Sequence, residues 1–324
     1  MTNTLKPAHR PLAYCTAAMA LLAVVSGIGL IVDERTVLGE AVWLKPLKFS
    51  VSFALYAITL AWLIGQMDRW RRTMWWLGTV IVAGFVVPEV SAITFQAVRG
   101  VSSHFNLTPG LDETVFMVMG GAAYLGWLST FALGVFLVLQ RRVDRAMAWA
   151  IPLGFVISLA GMSVGYLMTA PTPDQALSLA AGLDLTTIGA HGVGVTGAGS
   201  GMPLTGWETG AGDLRVAHFV GIHALQVLPL LAVVLSRLSW RILDGARTGL
   251  VVVAAAGYAG LTGLLLWQAQ RGQALIHPDA RTIAAAASLA ALVVLAAAAV
   301  LACAARRAPA AAPAPASAPA PAAG

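Results

Sequence analysis

Residues 115–139 read VFMVMGGAAYLGWLSTFALGVFLVL and contain no charged side chain. An α-helix of about 20 residues crosses the roughly 30 Å hydrocarbon core of a bilayer, so this stretch predicts a transmembrane helix. The rest of the chain has a similar character: 58% of its 324 residues are apolar, 10% are charged, and the mean hydropathy is +0.79. Such values lie outside the range of soluble domains and predict an integral membrane protein.

Eight stretches of this kind occur along the chain, and each is long enough to span a bilayer. They lie near residues 12–32, 47–67, 74–97, 115–139, 147–169, 216–235, 249–268 and 283–303. We therefore expect an all-α fold, a polytopic membrane helix bundle of eight transmembrane helices that forms one domain over residues 1–307. Residues 171–214 predict a long Gly-rich outer loop, and the Ala/Pro-rich tail 308–324 is typical of disordered cytoplasmic segments.

The charges between the spans predict the orientation, because Lys and Arg are retained on the cytoplasmic side of short loops. One end of the predicted bundle carries 13 of the 20 basic residues and 3 of the 14 acidic residues. We expect this end and both termini to be cytoplasmic, in a multi-pass protein of the cell membrane, the inner membrane of a bacterium. The net charge of +6 then reflects topology and not nucleic-acid binding.

Polar side chains interrupt the outer half of the sixth predicted span. At 100° per residue, Arg215, His218, His223 and Gln226 fall within an arc of roughly 140°. Ionisable groups inside a membrane are costly and usually face a cavity, a partner or a bound ion. The pattern predicts a functional site on this face of the helix.

Two other spans carry similar stripes at their outer ends. Glu89, Gln96 and Arg99 lie within roughly 80° of one another in the third span, and Lys45 and Lys48 begin the second. Counted from the helix ends, Glu89 and His223 both lie about 12 Å deep, which makes them plausible partners. The predicted ligand or proton site comprises Lys48, Glu89, Gln96, Arg99, Arg215, His218, His223 and Gln226.

Five of the six histidines fall on the predicted outer side. His104, in the loop after the third span, could join His218, His223 and Glu89 as metal ligands, since imidazole suits copper, zinc and iron. His218 and His223 are about 140° apart on a helix, so they cannot both be axial ligands of one haem. A metal ion, or a haem held by one helix histidine, stays open as a cofactor.

Three runs on the predicted outer site are similar to segments of bacterial multi-pass membrane proteins of uncharacterised activity. They are Trp43-Leu-Lys45-Pro46-Leu-Lys48-Phe49, residues 99–106 and residues 214–226. The resemblance implies a membrane location and attaches no activity. In the fifth span, the spacing of Gly161 and Gly165 predicts close helix packing.

Three classes of function are compatible with this pattern. The first is a proton-coupled transporter or ligand-binding permease, with an outward-facing polar cavity and with Glu89 and His223 as a titratable pair. The second is a metal- or haem-binding membrane oxidoreductase, and the third is a noncatalytic sensor or assembly factor. The expected partners are the lipid bilayer and a small molecule or ion, without nucleic acid, and the oligomeric state and any enzymatic activity stay open.

Overall fold

A computed structural model describes residues 9–140, 144–194, 201–238 and 241–307. The predicted disordered tail 308–324 lies outside these residues. The helices are α1 Arg10–Val32, α2 Leu44–Gly65, α3 Arg71–Ile81, α4 Val87–Arg99, α5 Leu111–Leu139, α6 Arg145–Thr169, α7 Pro173–Ala180, α8 Leu214–Ile222, α9 Ala224–Arg237, α10 Arg241–Gln270 and α11 Ala280–Arg307, with a π-helical turn Val82–Val86 between α3 and α4. The strands are β1 Thr36–Val37, β2 Glu40–Ala41, β3 Gly192–Val193 and β4 Gly212–Asp213, which form two antiparallel pairs.

The predicted all-α polytopic bundle is confirmed. Seven helices of the described chain, with α3, the π-helical turn and α4 counted as one, are long and apolar enough to cross a membrane. The bent pair α8 and α9 passes the same test when its two helices are taken together, which gives up to eight spans. These spans coincide with the eight predicted stretches. We call the end that carries residues 33–43, 100–110, 170–194, 201–213 and 271–279 the outer end, and the opposite end the inner end.

Helix α6 occupies a central position in the bundle, where it packs against α5, α8, α9 and α10, while α11 packs along α10. A buried apolar cluster that includes Leu60, Ile81, Leu133 and Leu225 joins the spans α2, α3, α5 and α9. This core fixes the positions from which the polar side chains of the outer end project.

The third span widens into a π-helical turn directly before Pro88. Proline has no amide hydrogen to donate to a carbonyl one turn earlier, and a π-helical turn is one way for a helix to accommodate that loss. The turn places Phe85 against Gly126 of α5, where a Cβ atom would lie 2.4 Å from the Phe85 ring. The position of Glu89, one residue after Pro88, is thus fixed by a local irregularity of the helix.

The sixth span is broken, and the expectation of one straight helix with a continuous polar face is wrong. Helix α8 ends at Ile222, α9 begins at Ala224, and their axes differ by 41°. Arg215 and His218 on α8 and Gln226 on α9 therefore do not lie on one continuous helix face. His223 lies at the break itself, in a backbone conformation near φ −80° and ψ −5°.

Close contact between α6 and α8 confirms the packing prediction for Gly161. A Cβ atom on Gly161 would lie 2.5 Å from the carbonyl carbon of Gly221, and one on Gly165 would lie 3.4 Å from the His218 ring. Small residues at such positions let two helix backbones approach directly. This crossing holds the outer part of the broken span against α6.

Candidate functional site

Two loops cover the outer end of the bundle above the predicted site. The backbone of Leu107 donates to Thr186 O at 2.8 Å, and Ile188 donates to Phe105 O at 3.1 Å, which ties the α4–α5 loop to the loop after α6. Gln175 of α7 accepts from the Gly189 amide at 2.8 Å. The polar groups below are consequently covered by two loops that are hydrogen-bonded to each other.

Under this cover, Lys45, His104 and Glu89 form a chain of three polar side chains. Lys45 Nζ lies 3.0 Å from His104 Nδ1, and His104 Nε2 lies 3.4 Å from Glu89 Oε1. An ammonium group can only donate, so Nδ1 accepts and the ring proton of a neutral His104 is on Nε2, facing the carboxylate. The Ser103 hydroxyl also lies 3.1 Å from Nδ1.

Glu89 is 5% exposed, and its second oxygen, Oε2, is buried without a hydrogen-bond partner among the described residues. A buried polar atom that lacks a partner costs free energy, and such atoms in native proteins call for an explanation. His104 is densely surrounded by protein, yet 22% of its side-chain surface is accessible. Part of the His104 ring is therefore accessible from solvent at the outer end, whereas Glu89 beside it is not.

Two histidines of the outer loops are held neutral. Burial, and then the charge of Lys45, lower the pKa of His104 below its ordinary value, against the opposing effect of Glu89. Burial, and then the charges of Arg215 and Lys45, lower the pKa of His191 well below its ordinary value of 6.5. The His191 ring packs against Phe105 at 4.8 Å between centroids.

A second network surrounds Glu40, an acidic residue that is not part of the predicted ligand or proton site. Lys48 Nζ lies 3.2 Å from Glu40 Oε2 and 2.9 Å from Thr205 O. Arg215 Nη1 lies 3.5 Å from Glu40 Oε1, and Arg215 binds Asp213 through two nitrogens at 3.0 and 2.7 Å. This network ties α2 and α8 to the hairpin of residues 201–208.

The hairpin approaches Glu40 closely because Gly206 has no side chain. Gly206 adopts φ +66°, and a Cβ atom there would lie 1.9 Å from Glu40 Oε1. Its carbonyl accepts from Arg215 Nη2 at 2.5 Å. In the sequence, Asp213 is an acidic residue directly before the sixth span. Glu40 lies in the short segment between two spans, and its partner Arg215 is 175 positions away along the chain.

Gln96 and Arg99 serve a different contact from that of Glu89. Gln96 Nε2 donates to Asp112 Oδ1 at 3.0 Å, Arg99 donates to Gln96 Oε1 at 2.5 Å, and Arg99 also pairs with Asp112. These bonds join the end of α4 to the start of α5. Gln96 and Arg99 share the predicted stripe with Glu89, but their polar groups bind Asp112 at the junction of α4 and α5.

Within the sixth span, His218 Nδ1 lies 2.8 Å from Gly161 O. A carbonyl can only accept, so the Nδ1 proton is donated and Nε2 carries the lone pair. Among the described residues, His223 forms no contact of this kind with Glu89, and the histidine that faces Glu89 is His104. Gln226 Oε1 is buried without a partner in the same part of the chain.

Hydroxyl groups of two neighbouring helices donate hydrogen bonds to the backbone carbonyls at the break near His223. Ser158 of α6 donates to Ile222 O at 3.0 Å, and Tyr258 of α10 donates to Val220 O at 2.6 Å. Irregular backbone at membrane depth is tolerated only where such partners satisfy the freed groups. The break is therefore stabilised by the packing of α6 and α10 against the sixth span.

Four residues were predicted as possible metal ligands: His104, His218, His223 and Glu89. In the part of the chain that the structure describes, no three histidine, cysteine or carboxylate side chains are arranged to hold a metal ion. The structure brings His104 and Glu89 together and does not add His218 and His223 to them as a ligand set.

In comparisons with protein-family models, with curated proteins and with solved structures, nothing matches this chain. The described chain is a multi-pass helix bundle whose exposed apolar helix surfaces are suited to contact with lipid.

Proposed function

We propose that the protein is a proton-coupled transporter or ligand-binding permease, with Glu89 and His104 as its proton-carrying pair. The observation that carries the proposal is the chain Lys45–His104–Glu89, in which one buried carboxylate oxygen has no partner. The sequence favoured His223 as the partner of Glu89, and the geometry favours His104. The bacterial inner membrane remains the expected location.

Proton coupling follows from the charge of this group. With Lys45 protonated, His104 neutral and Glu89 ionised, the three side chains carry no net charge. A proton added to Glu89 leaves one uncompensated positive charge in a low-dielectric environment, which is costly. Binding of an anionic cargo, or an opening that admits water, would offset that cost and so link protonation to movement.

Two backbone irregularities support a moving bundle. The break at His223 and the π-helical turn before Pro88 lie in the two spans that carry His218 and Glu89. Discontinuous helices near a binding site are a common feature of secondary transporters, and rearrangement there costs fewer backbone hydrogen bonds than in a regular helix. The outer loops would then act as the cover that closes over bound cargo.

A carboxyl titration tests the proton site without knowledge of the cargo. We expect the infrared difference spectrum between acidic and neutral pH to contain a carboxyl band that Glu89→Gln removes. Glu113→Gln is the matched control, because Glu113 is an exposed carboxylate at the outer end. An unchanged spectrum in Glu89→Gln would exclude Glu89 as the proton carrier.

Transport is tested in proteoliposomes with an imposed pH gradient and a panel of charged and neutral solutes. We expect gradient-driven accumulation of at least one solute, its loss in Glu89→Gln, and its retention in Glu113→Gln. Absence of gradient-driven uptake across the panel, or full uptake by Glu89→Gln, would overturn the transporter proposal.

A second candidate, a haem- or metal-binding oxidoreductase, is favoured by His218 alone. Histidines that ligate a metal usually donate their other ring nitrogen to a carbonyl or carboxylate, and His218 Nδ1 has that arrangement with Gly161 O. The absorption spectrum and elemental analysis of the purified protein decide this candidate. A haem band or stoichiometric metal that disappears in His218→Ala but not in His277→Ala would support it, and absence of both would remove it.

A further inference from the structure

A groove of about 530 Å³ opens at the inner end of the bundle between α6 and α10, at the opposite end from Glu89. It is lined by Arg145, Ala148, Trp149, Gly245 and Thr248. Ala148 and Trp149 follow Arg145 by three and four residues, so the three side chains lie on one face of α6. Arg145 lies at the first residue of α6.

Arg145 is exposed and makes no hydrogen bond or ion pair with the described residues. The neighbouring Asp144 carboxylate accepts from the Met147 amide at 2.6 Å and caps α6, and no ion pair joins it to Arg145. The groove therefore presents an exposed guanidinium that pairs with no side chain in the described part of the chain, next to the Thr248 hydroxyl. An anion would satisfy both groups.

Trp149 indicates where this anion would sit relative to the membrane. Its side chain is 51% exposed one turn below Arg145 on the same helix face, and tryptophan is enriched at the depth of lipid headgroups. The groove lies between two membrane-spanning helices, at the end that carries most of the basic residues. The groove is thus next to the headgroups of the adjoining leaflet.

We propose that this groove binds the phosphate group of an anionic phospholipid. A guanidinium binds phosphate through two parallel hydrogen bonds, Thr248 can donate a third, and basic pockets between spans on the cytoplasmic side suit such headgroups. The acyl chains of the lipid would lie along the apolar surface of α6 and α10. The site is independent of the proton pair proposed above.

Lipid binding to the full-length purified protein tests the proposal by native mass spectrometry, with phosphatidylglycerol and phosphatidylcholine as the two lipids. We expect preferential binding of phosphatidylglycerol, weakened about tenfold by Arg145→Gln, since loss of one charge-assisted contact corresponds to roughly that factor. Arg71→Gln is the matched control, because Arg71 is also exposed and also begins a helix at the inner end. Thr248→Val tests the hydroxyl in the same assay.

Competition with glycerol 3-phosphate separates a lipid from a soluble phosphate. Retention of the lipid preference in excess glycerol 3-phosphate supports a phospholipid site. Displacement of the lipid by the soluble compound would assign the groove to free phosphates and overturn the lipid assignment. Equal binding of the two lipids, or an unchanged preference in Arg145→Gln, would overturn the site itself.

Discussion

His104 Nε2 of the α4–α5 loop lies 3.4 Å from Glu89 Oε1 of α4, and the same imidazole accepts from Lys45 Nζ at 3.0 Å. A neutral histidine between an ammonium and a carboxylate can satisfy both, because one ring nitrogen accepts while the other donates. The His104 ring thus connects the α4–α5 loop to α4 and to α2.

Replacement of His104 with Ala leaves Lys45 and Glu89 buried without their shared partner. We expect the free energy of unfolding to fall by about 2–4 kcal/mol, because two polar groups lose their shared partner, and each buried group left without one costs about 1–3 kcal/mol. Thermal unfolding in detergent measures the change. His277→Ala, at an exposed loop position, should stay within about 0.5 kcal/mol of the wild type, and an equal effect of both variants would contradict the structural role of His104.

Acidification should destabilise the folded protein through His191. Burial and the charges of Arg215 and Lys45 hold the pKa of His191 well below 6.5, so the unfolded chain binds a proton in a range where the folded chain does not. Stability is then independent of this group above about pH 6.5 and falls below it, by up to about 1.4 kcal/mol per pH unit.

The melting temperature, followed from about pH 7.5 to about pH 5, measures this dependence. His191→Gln should flatten the decline on the acidic side, with His104 contributing part of the slope that remains, and His277→Gln should leave it as in the wild type. A decline of equal steepness in His191→Gln would show that the folded protein accommodates the imidazolium.

The crossing of α6 and α8 should tolerate no side chain at Gly161. A Cβ atom there would lie 2.5 Å from the backbone of Gly221, so Gly161→Ala must force the helices apart, at a cost of about 1–3 kcal/mol. Gly120→Ala, in α5, meets no atom within 4 Å and should be neutral or stabilising by up to about 1 kcal/mol. Unfolding free energies that do not distinguish the two variants would contradict the close crossing.

The hydroxyl of Tyr258 should stabilise the break in the sixth span. Tyr258→Phe removes the 2.6 Å bond to Val220 O, and we expect a loss of about 0.6–2 kcal/mol, the range measured for hydrogen bonds between membrane helices. Faster hydrogen exchange at the residues around His223 would localise the effect. Tyr124→Phe, at a side chain that is 57% exposed, is the control and should change neither quantity.

The helices themselves could be predicted from the sequence because each span is a local property of the chain. The eight apolar stretches match α1, α2, α3 to α4, α5, α6, α8 to α9, α10 and α11. A helix in lipid must satisfy its backbone groups internally, so apolar length alone specifies it. The break at His223 was not predictable in this way, because the Ser158 and Tyr258 hydroxyls that hold it come from other helices.

The candidate site could be predicted in part. Lys48, Glu89, Arg215 and His218 lie at the outer end, as the stripes indicated, but the stripes gave no information on which groups pair. Gln96 and Arg99 share the stripe of Glu89 and bind Asp112 instead. Glu40 was missed because it lies between two spans and its contact with Arg215 joins segments 175 positions apart in the chain.

By itself, the sequence determined that the protein is a membrane helix bundle, where its spans lie, and that polar groups collect at one end. These properties follow from hydropathy and charge, which act over one helix or one loop at a time. The tertiary structure decided that His104 and not His223 faces Glu89, that Arg215 is bound by Asp213 and Glu40, and that the sixth span is broken. Those outcomes depend on distances between segments far apart in the chain, and such distances are set by how the helices pack.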